Sequence, residues 1–240
     1  MSRWRPILGP AAAGLVLMIL SHPRVAQSLV GWLGEAPRRA LGLDYLAALA
    51  LHHLVLAGGG LVLVALAGLG LGIAATRDGG APLRGGIDTL AAAAQAVPPV
   101  VVVALALPIL GFGGPPTLLA LLCYGVMPVL RGTVGALEAV PREAREAATA
   151  MGLTPLQILA RVEMPLAAPA IVETLRTALV LAVSTAAVGA LAGAATLGTP
   201  IVAGLQNQNM VPMVQGAAAT AALAFLCDAA MLGLAALTRR

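Results

Sequence analysis

The run "LAALALHHLVLAGGGLVLVALAGLGLGIAAT", residues 46–76, decides the fold class. A helix needs about 20 predominantly apolar residues to cross the hydrocarbon of a bilayer, and this run supplies them without the period-two alternation of a membrane strand. It reads as a spanning helix. Its "GLGLGI" at residues 68–73 sits inside the run, where small residues let helices pack closely, and is not a nucleotide loop. The rest of the 240-residue chain agrees, with 60% hydrophobic residues, 10% charged and a mean hydropathy of +0.95. The surface of a soluble globule made from it could not be covered with polar groups.

Working outward, Arg3 and Arg5 precede a short apolar run, Ile7 to Leu20. It reads either as an uncleaved first helix or as the h-region of a secretory signal; "SHPRVAQS" lacks a clean cleavage site, while Val25 to Ser28 keeps the second reading open. Residues 21–45 read as a polar connection, and residues 1–44 are set apart from a membrane domain over 45–240. Beyond Thr76, "TRDGGAPLRGG" is a turn-forming loop. A third run, about Ile87 to Leu110, is interrupted by Pro98-Pro99. Further runs cover about Thr117 to Leu137, Ala170 to Ala192 and Val211 to Leu237, the last two separated by a neutral stretch. The expected fold is all-α and polytopic, with about six crossings.

Six crossings put both termini on one side of a cell membrane. On that side lie Arg3, Arg5, Arg77, Arg84, Arg131, Arg142, Arg145, Arg161, Arg176, Arg239 and Arg240; on the other lie Arg24, Arg38 and Arg39. By the positive-inside rule the larger set is cytoplasmic. The net charge of +4 is carried by arginines, most of them at the ends of apolar runs, which marks orientation in a lipid bilayer and not nucleic-acid binding. Cys123 and Cys227 lie in apolar stretches without neighbouring ligands and read as small core residues, not as a metal site or a disulfide framework.

Charge gathers between residues 138 and 165, whereas residues 194–227 carry none. Such polarity does not belong in lipid. Pro141 suits a helix start, Arg142 and Glu146 form an i,i+4 pair, and Ala144, Ala147, Ala148 and Met151 share one apolar face. Gly152 supplies a left-handed stop. Thr154, Pro155 and Gln157 spell the start of a second short helix with a capping box, and Pro165 is expected to end it. A bent pair of helices, charged on one side and apolar on the other, suits insertion into a groove of a soluble partner. A solvated, incidental loop is the plain alternative.

The string Glu146-Ala147-Ala148, three residues, Gly152, nine residues, Val162, one residue, Met164-Pro165 resembles the EAA signature of permease subunits of bacterial ATP-binding-cassette importers. Val stands where that signature has Ile, and Met where it has Leu. The resemblance implies a cytoplasmic coupling element held by a separate ATPase subunit, with Glu146, Ala147, Ala148, Gly152 and Pro165 as its residues. It also implies a second permease copy or homologue, an extracytoplasmic binding protein, and no cofactor on this chain. Independently, the chain has no lysine, so it cannot hold a P-loop of its own. No H-E-x-x-H, G-x-S-x-G or plausible intramembrane acid pair marks an enzyme.

"LAGLGLGIAATR", "AQAVPPVVVVALALPILGFG", "MPVLRGTVGAL" and the stretch from Met164 to Gly198 are similar to the glycine betaine, carnitine and choline osmoprotectant permeases. Where those often read G-A-G-G-L-G, this chain reads Gly193-Ala194-Ala195-Thr196-Leu197-Gly198. Methionine importer permeases are the rival within the class, but they usually carry L-P-E-A where this chain has Met164-Pro165-Leu166-Ala167. The aromatics Trp4, Trp32, Tyr45, Phe112, Tyr124 and Phe225 are too scattered for a cage around a quaternary ammonium, so primary recognition is expected on the binding protein. Path candidates are Gln95, Pro98, Pro99, Ser184 and Thr185, with interhelical bonding the alternative for the last two. Asp228 is an intramembrane acid, either functional or paired with an arginine; proton coupling through it and the histidines is the reading of a different class, a secondary transporter. Glu173 and Arg176 are expected to satisfy each other. His52 and His53 are expected at the outer interface.

Overall fold

The computed structural model describes residues 5–36, 38–77 and 81–238; Arg3, Trp4, Arg239 and Arg240 lie outside them. The elements are α1 (Arg5–Leu20), α2 (Pro23–Trp32), α3 (Leu43–Ala75), α4 (Ala81–Ala96), α5 (Pro99–Leu110), α6 (Gly114–Glu138), α7 (Arg142–Ala150), α8 (Pro155–Ile158), α9 (Met164–Ala186), α10 (Thr199–Gln206) and α11 (Met210–Thr238). A π turn, Leu159–Glu163, joins α8 to α9, and a 3-10 turn, Ala187–Ala192, follows α9. The all-α polytopic expectation holds.

The spans are not six straight rods. Among the described residues, four helices are long and apolar enough to cross a membrane: α3, α6, the continuous helix Pro155–Ala192, and α11. α1 and α2 qualify only as a pair bent by 79°. The bend falls at His22, whose ψ of 135° is the extended conformation imposed on a residue before proline. The third run is broken in the same way into α4 and the 12-residue α5, because Pro98 and Pro99 cannot donate to a helical ladder. Three stretches read as connections also hold helix. α2 lies within 21–45, where Ala26 and Val30 bury against Val211. α4 already begins by Ala81, and α10 occupies part of the neutral stretch.

Glycine spacing sets the core. An added Cβ on Gly60, Gly68 or Gly72 of α3 would come within 2.5–2.7 Å of Leu121, Val129 or Thr133 of α6, and one on Gly125 would come within 2.6 Å of Val64. Pairs 60–121, 64–125, 68–129 and 72–133 advance together by four, so α3 and α6 run parallel, a glycine of one receiving a larger residue of the other. α9 closes this pair through Ala178, Ala182 and Val183. α1 packs along α11. Buried Gln215 of α11 accepts from Leu41 N–H at 2.9 Å and donates to Leu41 O at 3.1 Å and Ser21 O at 3.2 Å. The end of α1 and the starts of α3 and α11 thus share one end of the bundle. The ends of α3 and α6, with α7 and the start of α9, share the other, the charged end.

Candidate functional site

At the charged end the chain makes an elbow. α7 is followed by Gly152 at φ +78°, where Gly152 N–H bonds Thr149 O at 2.9 Å and Leu153 N–H bonds Ala148 O at 3.2 Å. This is a Schellman stop, and only glycine takes that φ without cost. Thr154 Oγ1 then accepts from Gln157 N–H, while Gln157 Oε1 accepts from Thr154 N–H at 2.9 Å. That reciprocal cap starts α8 in the turn after α7 has ended. Helix α7 begins at Arg142, with Pro141 as its N-cap.

The apolar face read from the sequence is divided. Ala148 is buried and Ala144 half-buried, while Ala147, Met151 and Leu156 are exposed, the last two by 71% and 74%. Glu146 is exposed and holds Arg142 at 2.6 Å. The elbow therefore offers Ala147, Met151 and Leu156 outward from an otherwise charged segment.

Pro165 does not end the second helix, contrary to expectation. A proline lacks an N–H and its ring crowds the carbonyl four residues back, here Arg161. The ladder accommodates this by widening: Met164 N–H reaches back five residues to Leu159 O, and the helix runs on into α9. Within that π turn, Glu163 is 5% exposed and lies 2.8 Å from Arg77 Nη2 and 2.8 Å from Arg145 Nε. Arg145 Nη2 also donates to Leu137 O.

Asp228 and Arg176 form a forked pair between α11 and α9, Nε to Oδ1 at 2.5 Å and Nη2 to Oδ2 at 3.0 Å; Glu173 Oε1 takes Nη1 at 2.6 Å. The carboxylate expected either to act or to be paired is paired, and its guanidinium is also shared with Glu173. Removing one partner of a largely buried pair strands the other, at about 3–5 kcal/mol when fully buried. Arg176 and Asp228 side chains are 25% and 14% exposed, so Asp228→Ala is expected to cost about 2–3 kcal/mol. Thermal denaturation of the purified protein should show the loss, and Asp228→Leu with Arg176→Met should recover most of it.

The path candidates lie at the end of α4, at the α4–α5 break and in α9. Gln95 Nε2 donates to Tyr124 O at 3.1 Å. Pro98 and Pro99 lie at the α4–α5 break. Ser184 is exposed and bonds Val180 O in its own helix at 3.0 Å, while Thr185 is 8% exposed. None of them lines the cavity of about 440 Å³ between Tyr45, Thr199, Asn207 and Asn209.

His53 holds partners that sequence reading missed. It is fully buried in the protein. Leu197 N–H donates to Nδ1 at 3.1 Å and Nε2 lies 2.8 Å from Val183 O, so Nδ1 is bare and Nε2 carries the proton. The partners flank the 3-10 turn, whose tightening leaves Val183 O in need of a donor. The available signal was position: Leu49, His53, Ala57, Gly60 and Val64 form one buried stripe of α3. Beyond the turn, Gly193 has φ +77° and an added Cβ on Gly198 would lie 1.9 Å from Ala187 O. These are the glycines that "GAATLG" retains. Thr196, where the osmoprotectant pattern has glycine, is buried and accepts from Gly198 N–H through Oγ1 at 3.2 Å.

Residues 68–240 match the family model of the binding-protein-dependent transport system inner membrane component. The glycine betaine/carnitine/choline transport system permease protein OpuCD of Bacillus subtilis (strain 168) is 32% identical over 181 residues, 75% of this chain and 78% of the relative. The osmoprotectant import permease protein OsmY of Salmonella typhimurium (strain LT2) is 32% identical over 177 residues, 74% of this chain and 75% of the relative. Among solved structures, an inward facing conformation of the MetNI methionine ABC transporter superposes with a TM-score of 0.73 at 23% identity, covering 82% of this chain and 98% of that one.

Proposed function

Because the chain belongs to the family of inner membrane components of binding-protein-dependent transport systems, we propose that it carries quaternary ammonium osmoprotectants of the glycine betaine, carnitine and choline type. It is the multi-pass permease subunit of an ATP-binding-cassette importer, a transport component and not an enzyme; it has no cofactor, and the ATPase is a separate chain. Family membership replaces the secondary-transporter reading.

In this reading the elbow enters a cleft of the ATPase, with Glu146, Ala147 and Gly152 at the contact, Ala148 holding α7 inward, and Pro165 at the widened turn that carries the helix into the membrane. The observation that carries it is the exposure of Ala147, Met151 and Leu156 on an element whose backbone is otherwise tightly capped. Both termini and the elbow face the cytoplasm, a second copy or homologous permease completes the path, and a binding protein delivers solute to the opposite end. Gln95, Pro98, Pro99, Ser184 and Thr185 lie along the path; the exposed hydroxyl of Ser184 and the break at Pro98 suit a surface completed by another subunit.

The substrate is supported by the named solutes of the sequence relatives and by Leu166-Ala167 in place of the L-P-E-A of methionine permeases. The test is uptake by vesicles containing this chain, its ATPase and its binding protein. Labelled choline or glycine betaine is expected to accumulate only with ATP, with unlabelled carnitine competing. Accumulation of methionine instead, or uptake by this chain alone, overturns the reading.

A further inference from the structure

Glu163 is a buried carboxylate in a turn whose Ala160 and Arg161 are exposed. A lone ionised carboxyl is costly away from solvent and persists there when paired. Glu163 is paired twice, and the partners come from different parts of the chain. Arg77 follows α3, the helix that interlocks with α6; Arg145 lies on α7, one residue before Glu146. The packing of α7 is chiefly on α8 and the π turn. The Glu163 carboxylate therefore bridges the elbow to the end of α3 without either helix packing on the other. The π turn places it there, since an extra residue in the ladder rotates the residues before Pro165 relative to the span that follows.

Resting on the coupling role of the elbow given above, we propose that Glu163 is a positioning residue for coupling, a charged tie through which movement imposed on α7 reaches α3 as well as α9. α6 and α9 are joined to the elbow by the chain itself. The end of α3 is tied to it through Arg77–Glu163–Arg145. Without the tie, the ATPase still grips the elbow and moves α6 and α9, but the end of α3 follows only through its packing on them.

Arg77 separates this role from folding, because its side chain is 35% exposed whereas that of Glu163 is 6% exposed. In vesicles holding the complete importer, Arg77→Gln is expected to leave ATPase binding and ATP hydrolysis near wild type. Solute carried per ATP should fall by roughly two- to thirtyfold, the range in which residues remote from both ligands alter coupling. Arg77→Lys retains the charge and should restore most of the ratio. Glu163→Gln should uncouple in the same way, and Arg77→Gln keeps the test open if that variant fails to fold. An unchanged ratio in Arg77→Gln, or equal behaviour of the Gln and Lys variants, overturns the tie. Absence of ATPase binding by the wild-type elbow instead overturns the docking role on which the tie rests.

Discussion

Gly152→Val is expected to weaken ATPase binding by about five- to thirtyfold and to reduce uptake with it, while membrane insertion and thermal stability of the bundle stay unchanged. The magnitude follows from about 1–2 kcal/mol for an L-residue forced left-handed, at the upper end for a β-branched one. An added Cβ at Gly152 meets nothing within 4 Å, so no neighbour is displaced and the cost is the backbone's alone. The variant escapes it by giving up the Schellman bonds, which re-aims α8 relative to α7 and separates Met151 from Leu156. Gly152→Asn, which tolerates φ above zero, is the matching control and should retain most binding. Equal binding by the valine and asparagine variants would show that the elbow's angle does not matter.

The second large effect is at His53. His53→Leu leaves Leu197 N–H and Val183 O without partners in a site sealed from water. At about 1–3 kcal/mol for each unsatisfied buried group, the loss is about 2–6 kcal/mol. His53→Gln offers an N–H and a carbonyl on one amide and should recover part of it. Thermal denaturation of the purified protein and the yield of folded protein are the readouts. A leucine variant as stable as wild type would mean that the segment from Ala187 to Gly198 needs no clamp.

The elbow was legible because its determinants are local. Gly152, Thr154 and Gln157 specify stop and start within six residues, and the structure uses each as the pattern reads. Pro165 is harder to read: a proline signals a helix end unless the preceding turn widens, as it does here, and the partners of the Glu163 that this turn buries, Arg77 and Arg145, come from two other parts of the chain. His53 was hidden in the same manner, since both its ligands are backbone groups of a turn whose course no local pattern describes. The spans depart from straight rods near prolines, at Pro23 and at Pro98-Pro99, because hydropathy sums over a bend.

The central claim is that the elbow is where the ATPase is held. Both native cysteines, Cys123 and Cys227, lie in spans and can be replaced by alanine, leaving single new cysteines as reporters. With the ATPase subunit bound and carrying one cysteine in its cleft, Ala147→Cys and Met151→Cys are predicted to form disulfide cross-links to it. Leu66→Cys, 69% exposed on the side of α3 that suits lipid, should form none. An ATPase that stays bound while neither elbow cysteine cross-links would contradict the account.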